Sequence, residues 1–148
     1  MDITGEFRIS ATIEDVWAAL NDTAVLQQCI PGCKELKRLS DTELTANMQS
    51  KIGPVKTTFA TNLTLSDVNP PTSYVISGEG KGGAAGFARG SAKVNLVSEG
   101  EETVLCYNAE VKVGGKIAQV GSRLIDGTAR KLAQDFFSKF VDVLSAEG

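Results

Sequence analysis

Histidine is absent from this chain of 148 residues. Its absence removes the commonest general base, the commonest metal-binding side chain and every nucleophile system that needs a histidine partner. An enzyme built on this sequence would have to use carboxylates inside its site. We therefore predict no catalytic residue, no metal site and no cofactor.

Cysteine is scarce and occurs only at positions 29, 33 and 106. Cys29 and Cys33 flank a Pro–Gly turn in CIPGC, a spacing that differs from the C-x-x-C of thioredoxins. A metal shell would be incomplete, because the third cysteine is distant and no histidine can replace it. We interpret all three as structural thiols. The odd cysteine number and the lack of a signal-peptide pattern predict a reducing cytoplasm.

A basic excess and long apolar runs are also missing. The formal net charge is −3, whereas nucleic-acid-binding surfaces are basic, so we predict no nucleic-acid partner. No segment approaches the roughly 18 apolar residues of a membrane span, so we predict none. Hydrophobic residues make up 42% of the chain, which allows a real core. The length predicts a single domain over residues 1–148.

Alternation of apolar and polar residues dominates the chain. It predicts strands at residues 2–11, 34–40, 43–52, 55–68, 73–82, 86–99 and 103–113. Helical spacing predicts short helices at 11–22 and 23–30, the first capped by Thr12, and one long amphipathic helix at 116–148. Tight turns between the strands predict an antiparallel meander. The sheet and the long helix each have one apolar face to bury, so we predict an α+β helix-grip fold, a curved seven-stranded sheet wrapped around the last helix.

The string GEGKGGAAGFARGSA, residues 78–92, is rich in glycine. Its letters match G-x-G-x-x-G, but a strand pattern follows where a dinucleotide site needs a helix. A Walker A loop does not fit either, because Lys81 is followed by Gly82. The even-numbered glycines and alanines continue into Val94 and Leu96, so they share the inward face if the hairpin loop has odd length. The small residues then indicate either a sharply curved sheet with a solid core or, as we favour, an apolar cavity.

Several strings resemble one known family. CIPGC, KIGPVKTTF, GGAAGFARGSA and above all VGGKIAQVGSRLIDGTARKLAQDFF are similar to the carbon monoxide dehydrogenase CoxG family of the START-like, birch-pollen-allergen-like (SRPBCC) superfamily. The resemblance covers nearly the whole chain. It implies a helix-grip fold whose cavity binds a lipophilic molecule, and an accessory role beside a molybdenum hydroxylase complex. It also implies a cytoplasmic protein, with a peripheral position at the inner membrane as the alternative.

The predicted faces supply the candidate ligand-binding residues. These are the inward-facing residues of sheet and helix together with one rim residue: Phe59, Leu63, Ile76, Phe87, Leu105, Tyr107, Val111, Leu124, Ile125, Thr128, Leu132 and Phe136. Plain core packing is the alternative for each of them. Tyr107 and Thr128 are the expected internal polar groups, because a buried hydroxyl needs a partner.

Three charged residues of the long helix form a second candidate site. Helical spacing pairs Asp126 with both Arg123 and Arg130. The set is predicted to be a surface ion-pair row or, alternatively, a docking surface for a partner.

Three functions remain open on this basis. We favour a non-enzymatic accessory protein of a molybdenum-containing CO dehydrogenase-like oxidoreductase that holds a hydrophobic small molecule, a lipid or a quinone. The alternative is an assembly or membrane-recruitment adaptor that acts through its surface and has a solid interior. An enzyme of the cyclase or hydrolase kind is disfavoured, because none of the predicted inward positions is Asp or Glu.

Overall fold

The computed structural model describes residues 1–147, so the predicted domain end at residue 148 lies outside the described residues. The strands are β1 Asp2–Ile9, β2 Cys33–Arg38, β3 Glu43–Ile52, β4 Val55–Asn69, β5 Ser73–Lys81, β6 Phe87–Glu99 and β7 Glu102–Gly114. The helices are α1 Ile13–Leu20, α2 Thr23–Cys29 and α3 Ser122–Glu147, with two 3₁₀ turns at Gly83–Ala85 and Gly115–Val120. This is the order of elements that the sequence predicts.

The seven strands form one antiparallel sheet in the order β1-β7-β6-β5-β4-β3-β2. Strands β2 to β7 pair with their neighbours in the chain, as expected of a meander with tight turns. Strand β1 pairs with β7, where Phe7 lies opposite Leu105. The predicted α+β helix-grip fold is confirmed.

The two short helices begin at side-chain caps. The Thr12 hydroxyl accepts a hydrogen bond from the Asp15 amide at 3.3 Å. The Asp22 carboxylate accepts one from the Ala24 amide at 2.9 Å. Each cap satisfies backbone N–H groups that the first helical turn leaves unpaired, which is why both helices start where they do.

The long helix starts later than its apolar spacing predicts. Residues Gly115–Val120 form a 3₁₀ turn, and Gly121 has a φ of +103°, a conformation outside the α-helical region. The α-helix then runs through 26 residues from Ser122. Ile117 nevertheless lies on the predicted apolar face and is fully buried, because the 3₁₀ turn packs against the sheet.

The core divides into three clusters. The largest packs α1, α2 and the last turns of α3 on the sheet and includes Leu105 and Phe140, both fully buried. The second joins Phe59, Ala85 and Ile117 beneath the β3–β4 hairpin and the two 3₁₀ turns. The third lies at the β2–β3 side of the sheet. The clusters are separate, and the space between them borders the small side chains of β5 and β6.

Candidate functional site: a cavity between sheet and helix

A cavity of about 460 Å³ lies between the sheet and α3. Five strands, the turn after α2 and the middle of α3 surround it. Its lining consists of Ile30, Pro31, Met48, Ser50, Ile52, Phe59, Thr61, Leu63, Ile76, Gly78, Gly80, Ala88, Arg89, Gly90, Ser91, Ala92, Ala109, Glu110, Val111, Leu132, Ala133 and Phe136. The volume lies within the range of small-molecule sites, and most of the lining is apolar.

The glycine-rich hairpin forms one wall of this cavity. Strands β5 and β6 place Gly78 opposite Gly90 and Gly80 opposite Ala88. The last pair before the loop is Lys81 with Phe87, so the loop of residues 82–86 has odd length and keeps the small residues on one face. The predicted inward face is confirmed. Side chains of normal size at these positions would occupy the space that now remains open.

Gly90 is required for a second reason. A Cβ atom at this position would lie 2.5 Å from the backbone carbonyl oxygen of Glu110 on β7. Carbon and oxygen do not approach so closely in folded proteins, and a backbone atom cannot rotate away. The wall is therefore bare at Gly90 because β6 and β7 approach closely there.

The cavity opens beside α3. Leu132 lines the cavity and is also 38% exposed, so it marks the mouth. Pro31, which follows α2, and Met48 on β3 line the cavity as well, and both are partly exposed. A ligand can therefore enter between the helix and the β3 side of the sheet.

Two hydroxyl groups offer polar contacts inside the cavity. Thr61 is only 8% exposed, and its hydroxyl donates to the Phe59 carbonyl at a long 3.4 Å. Ser50, also in the lining, is partly exposed. A long hydrogen bond is weak, so the Thr61 hydroxyl is available to a carbonyl or hydroxyl group of a ligand.

Charged side chains stay outside. Arg89 and Glu110 border the cavity on either side of bare Gly90, but both are exposed and line a polar groove on the outer face of the sheet. Among residues 1–147, no three Cys, Asp or Glu side chains converge as a metal site. The interior thus suits an uncharged hydrophobic molecule, and the only carboxylate that borders it, that of Glu110, faces solvent.

Six of the predicted ligand-binding residues line the cavity, namely Phe59, Leu63, Ile76, Val111, Leu132 and Phe136. The other six lie elsewhere. Leu105 is fully buried in the largest core cluster. Phe87 and Ile125 border a shallow depression near the start of α3, and Leu124 and Thr128 border a groove on the outside of that helix. Leu124 is 41% exposed, because the first turns of α3 extend past the edge of the sheet.

The two expected polar groups, Tyr107 and Thr128, lie outside the cavity. Tyr107 stacks on Phe137 with ring centres 4.9 Å apart, which joins it to the largest cluster. Burial raises the pKa of its phenol above the ordinary value. The Thr128 hydroxyl donates to the Leu124 carbonyl at 2.9 Å, within the helix itself. Both side chains are therefore occupied by local contacts.

The charged set on α3 forms half of the predicted ion-pair row. Arg130 Nε lies 2.8 Å from Asp126 Oδ2, and this hydrogen bond raises the pKa of the arginine. Arg123 is exposed, and among the ion pairs of residues 1–147 it does not contact Asp126. The pairing at four-residue spacing forms in preference to the one at three.

The sequence prediction missed the β3 side of the cavity. Met48, Ser50 and Ile52 all line it, since Met48 lies opposite Phe59 across the β3–β4 hairpin. The signal was present, because the Gly53–Pro54 turn fixes the register of that hairpin and so the inward face of β3. Ile30 and Pro31 had no comparable signal, since they follow a helix and belong to no strand.

The comparisons with known proteins agree with this geometry. The family model for CoxG, the G-type subunit of carbon monoxide dehydrogenase, matches residues 5–145. The chain belongs to the CoxG family. No curated protein matches it. A solved structure of a conserved protein from Geobacillus kaustophilus is 32% identical to this CoxG-family chain, with a TM-score of 0.92 over 99% of the chain and 96% of that protein.

More distant structures share the fold. A START superfamily protein from Mycobacterium smegmatis is 14% identical, with a TM-score of 0.76 over 99% of each chain. The Zhui aromatase/cyclase from Streptomyces sp. R1128 is 10% identical, with a TM-score of 0.68 over 98% of this chain and 93% of that protein. The predicted START-like membership is confirmed. Because the fold is also found in a cyclase, support for a non-catalytic accessory role comes from the CoxG family and not from the fold.

Within residues 1–147, no helix combines the length and the apolar composition that crossing a bilayer requires.

Proposed function

We propose that this CoxG-family protein is a non-catalytic accessory protein that carries a hydrophobic small molecule, a lipid or a quinone, for a molybdenum-containing CO dehydrogenase-like oxidoreductase. The cavity of about 460 Å³ is the observation that carries the proposal. Its walls are apolar, its charged neighbours point outward, and Thr61 offers a single buried hydroxyl. Such a site favours an apolar molecule with one or two polar atoms.

The alternative, an adaptor with a solid interior, explains less of the chain. An adaptor would have no use for the glycine and alanine pairs that empty the space between β5, β6 and α3. The exposed pair of Asp126 and Arg130 does support a surface role, but exposed ion pairs of this spacing are common on helices.

Native mass spectrometry of gently purified protein tests the proposal, together with solvent extraction and an ultraviolet spectrum of the extract. A discrete added mass that extracts as a lipid or quinone is expected. Protein that arrives empty is then offered palmitate and a short-chain ubiquinone, and uptake of either supports the carrier function. A clean mass of the bare chain with no uptake of any probe would overturn it.

A further inference from the structure

Charges in this protein are segregated along the strand direction. Three segments, residues 44–66, 80–98 and 111–125, contain Lys and Arg but no Asp or Glu. Their turns are the β3–β4 hairpin, the β5–β6 loop, and the 3₁₀ turn that joins β7 to α3. The net charge of −3 therefore conceals a cationic region.

The fold brings these turns to one end of the molecule. Lys81, Phe87 and Gly114 lie side by side at the ends of β5, β6 and β7. The second core cluster joins the β3–β4 hairpin to the β5–β6 loop and the 3₁₀ turn. At the hairpin tip, a Cβ atom on Gly53 would lie 2.7 Å from Leu124 Cδ2, so the tip touches the first turn of α3.

Five cations are exposed at this end, and we call them the cationic pole: Lys51, Lys56, Lys81, Lys116 and Arg123. Within the part of the chain that the structure describes, no member of the cationic pole forms an ion pair. Lys51 and Lys56 even lie directly opposite each other on β3 and β4. Like charges in that position destabilise a sheet, so the arrangement favours an external anion.

Apolar side chains are exposed at the same end. Met1 and Phe87 are each 37% exposed and border one depression with Ser122 and Ile125. Leu124, at the hairpin tip, is exposed as well. Cations around exposed apolar side chains are typical of surfaces that rest on an anionic lipid interface.

The opposite end of the molecule is acidic. Its turns carry Asp41, Glu43, Asp67, Glu99, Glu101 and Glu102, and the first turn of α1 adds Glu14 and Asp15. Arg8 contacts both Glu99 and Glu102 there. An anionic surface would attract one end and repel the other, which orients the molecule as well as binding it.

We infer that the cationic pole is a docking surface for an anionic lipid bilayer. Four of its five cations are lysines, which protein–protein interfaces avoid and anionic membrane surfaces attract. The pole also lies beside the cavity, since Ser50 and Ile52 line it on either side of Lys51. The inference rests on the proposed function in one respect, because a carrier of a hydrophobic molecule has to reach the bilayer that dissolves it.

Co-sedimentation of the protein with two kinds of vesicle tests the inference. One kind is phosphatidylcholine alone, and the other contains phosphatidylglycerol as well. We expect binding to the anionic vesicles only, and weaker binding as salt rises, because salt screens the attraction. Replacing both hairpin lysines, Lys51→Gln with Lys56→Gln, is expected to weaken binding about fivefold for each lysine. This variant should fold, since it removes a like-charge pair.

The matched control replaces two exposed lysines outside the pole, Lys93→Gln with Lys139→Gln, and changes the net charge equally. It should bind nearly as well as the original protein. Equal binding to both vesicle types, an equal loss in the control, or no binding at all would overturn the inference, and binding of an acidic protein in place of vesicles would assign the pole to a protein partner. Palmitate uptake by the same variants reports the cavity separately, so the failure of docking and the failure of the carrier function are distinguishable.

Discussion

Gly78 on β5 and Gly90 on β6 lie directly opposite each other, and both line the inner cavity and the groove on the outer face of the sheet. At this pair, the cavity wall consists of backbone alone. The depth of the cavity therefore depends on what the neighbouring inward positions carry, and on that wall these are alanines at 88, 92 and 109.

Ala109→Leu is expected to block ligand uptake. The alanine faces the cavity on β7, so a larger side chain fills open space without disturbing packed neighbours. Affinity for palmitate or the short-chain ubiquinone should fall roughly tenfold or more, equivalent to at least about 1.4 kcal/mol. The control is Asn108→Leu, whose side chain is exposed on the outer face. Equal affinity in the two variants would contradict the placement of the ligand.

Thr61→Val should weaken binding of a probe that carries a carbonyl or hydroxyl group. Thr61 offers a buried hydroxyl in the cavity, and losing one hydrogen bond costs about 1 kcal/mol, or about fivefold in affinity. Thr128→Val is the comparison, because that hydroxyl bonds within α3 and lies outside the cavity. Titration of both variants with the ubiquinone checks this. A larger loss in Thr128→Val would assign the polar contact to the helix.

Two glycine-to-alanine changes should act in opposite directions. Gly90→Ala places a Cβ atom 2.5 Å from the Glu110 carbonyl oxygen, and relieving such overlap typically costs about 1–3 kcal/mol of stability. Gly127→Ala meets nothing within 4 Å on the surface of α3 and should stabilise the helix by up to about 1 kcal/mol. Urea unfolding of both variants measures the difference. An unchanged Gly90→Ala would show that β6 and β7 can separate there at little cost.

Stability should fall in strong alkali through Tyr74. Burial raises the pKa of this phenol to about 12, from 10.0 when exposed. Between these values the folded protein keeps a proton that the unfolded chain has lost, so the free energy of unfolding falls as pH rises. The contribution, fully present below the unfolded pKa, is on the order of 3 kcal/mol.

Trp17 provides the readout for this alkaline transition, since its ring centre lies 5.6 Å from that of Tyr74. Tyr74→Phe is the control, and the difference in stability between the two proteins should shrink across this pH window. A difference that stays constant with pH would show that the phenol is not responsible.

The start of α3 shows the limit of periodicity in predicting the fold. Apolar spacing continues unbroken from Ile117 into Leu124 and beyond, and this pattern predicted a single helix. The chain instead changes conformation at Gly121, whose φ of +103° interrupts the backbone while Ile117 keeps its place in the core. Spacing reports which side chains face inward, and a 3₁₀ turn can satisfy it as well as an α-helix does.

The candidate site was half predictable for a similar reason. Phe59 and Leu105 both alternate inward on their strands, yet Phe59 borders the cavity and Leu105 lies in solid core. Alternation gives the face of a residue and says nothing about its position relative to the helix. Which inward residues meet open space depends on where neighbouring strands carry glycine or alanine.

Local pattern alone thus determined the order of strands and helices, the inward face of the glycine-rich hairpin and the likeness to the CoxG family, because each depends on residues close together in the chain. Only the tertiary structure decided that Met48 and Leu132 border the same cavity, and that Lys51, Lys81 and Lys116 meet at one end. These relationships join residues far apart in the sequence. Strand register and the closure of the sheet around α3 create them, and neither is encoded in any single segment.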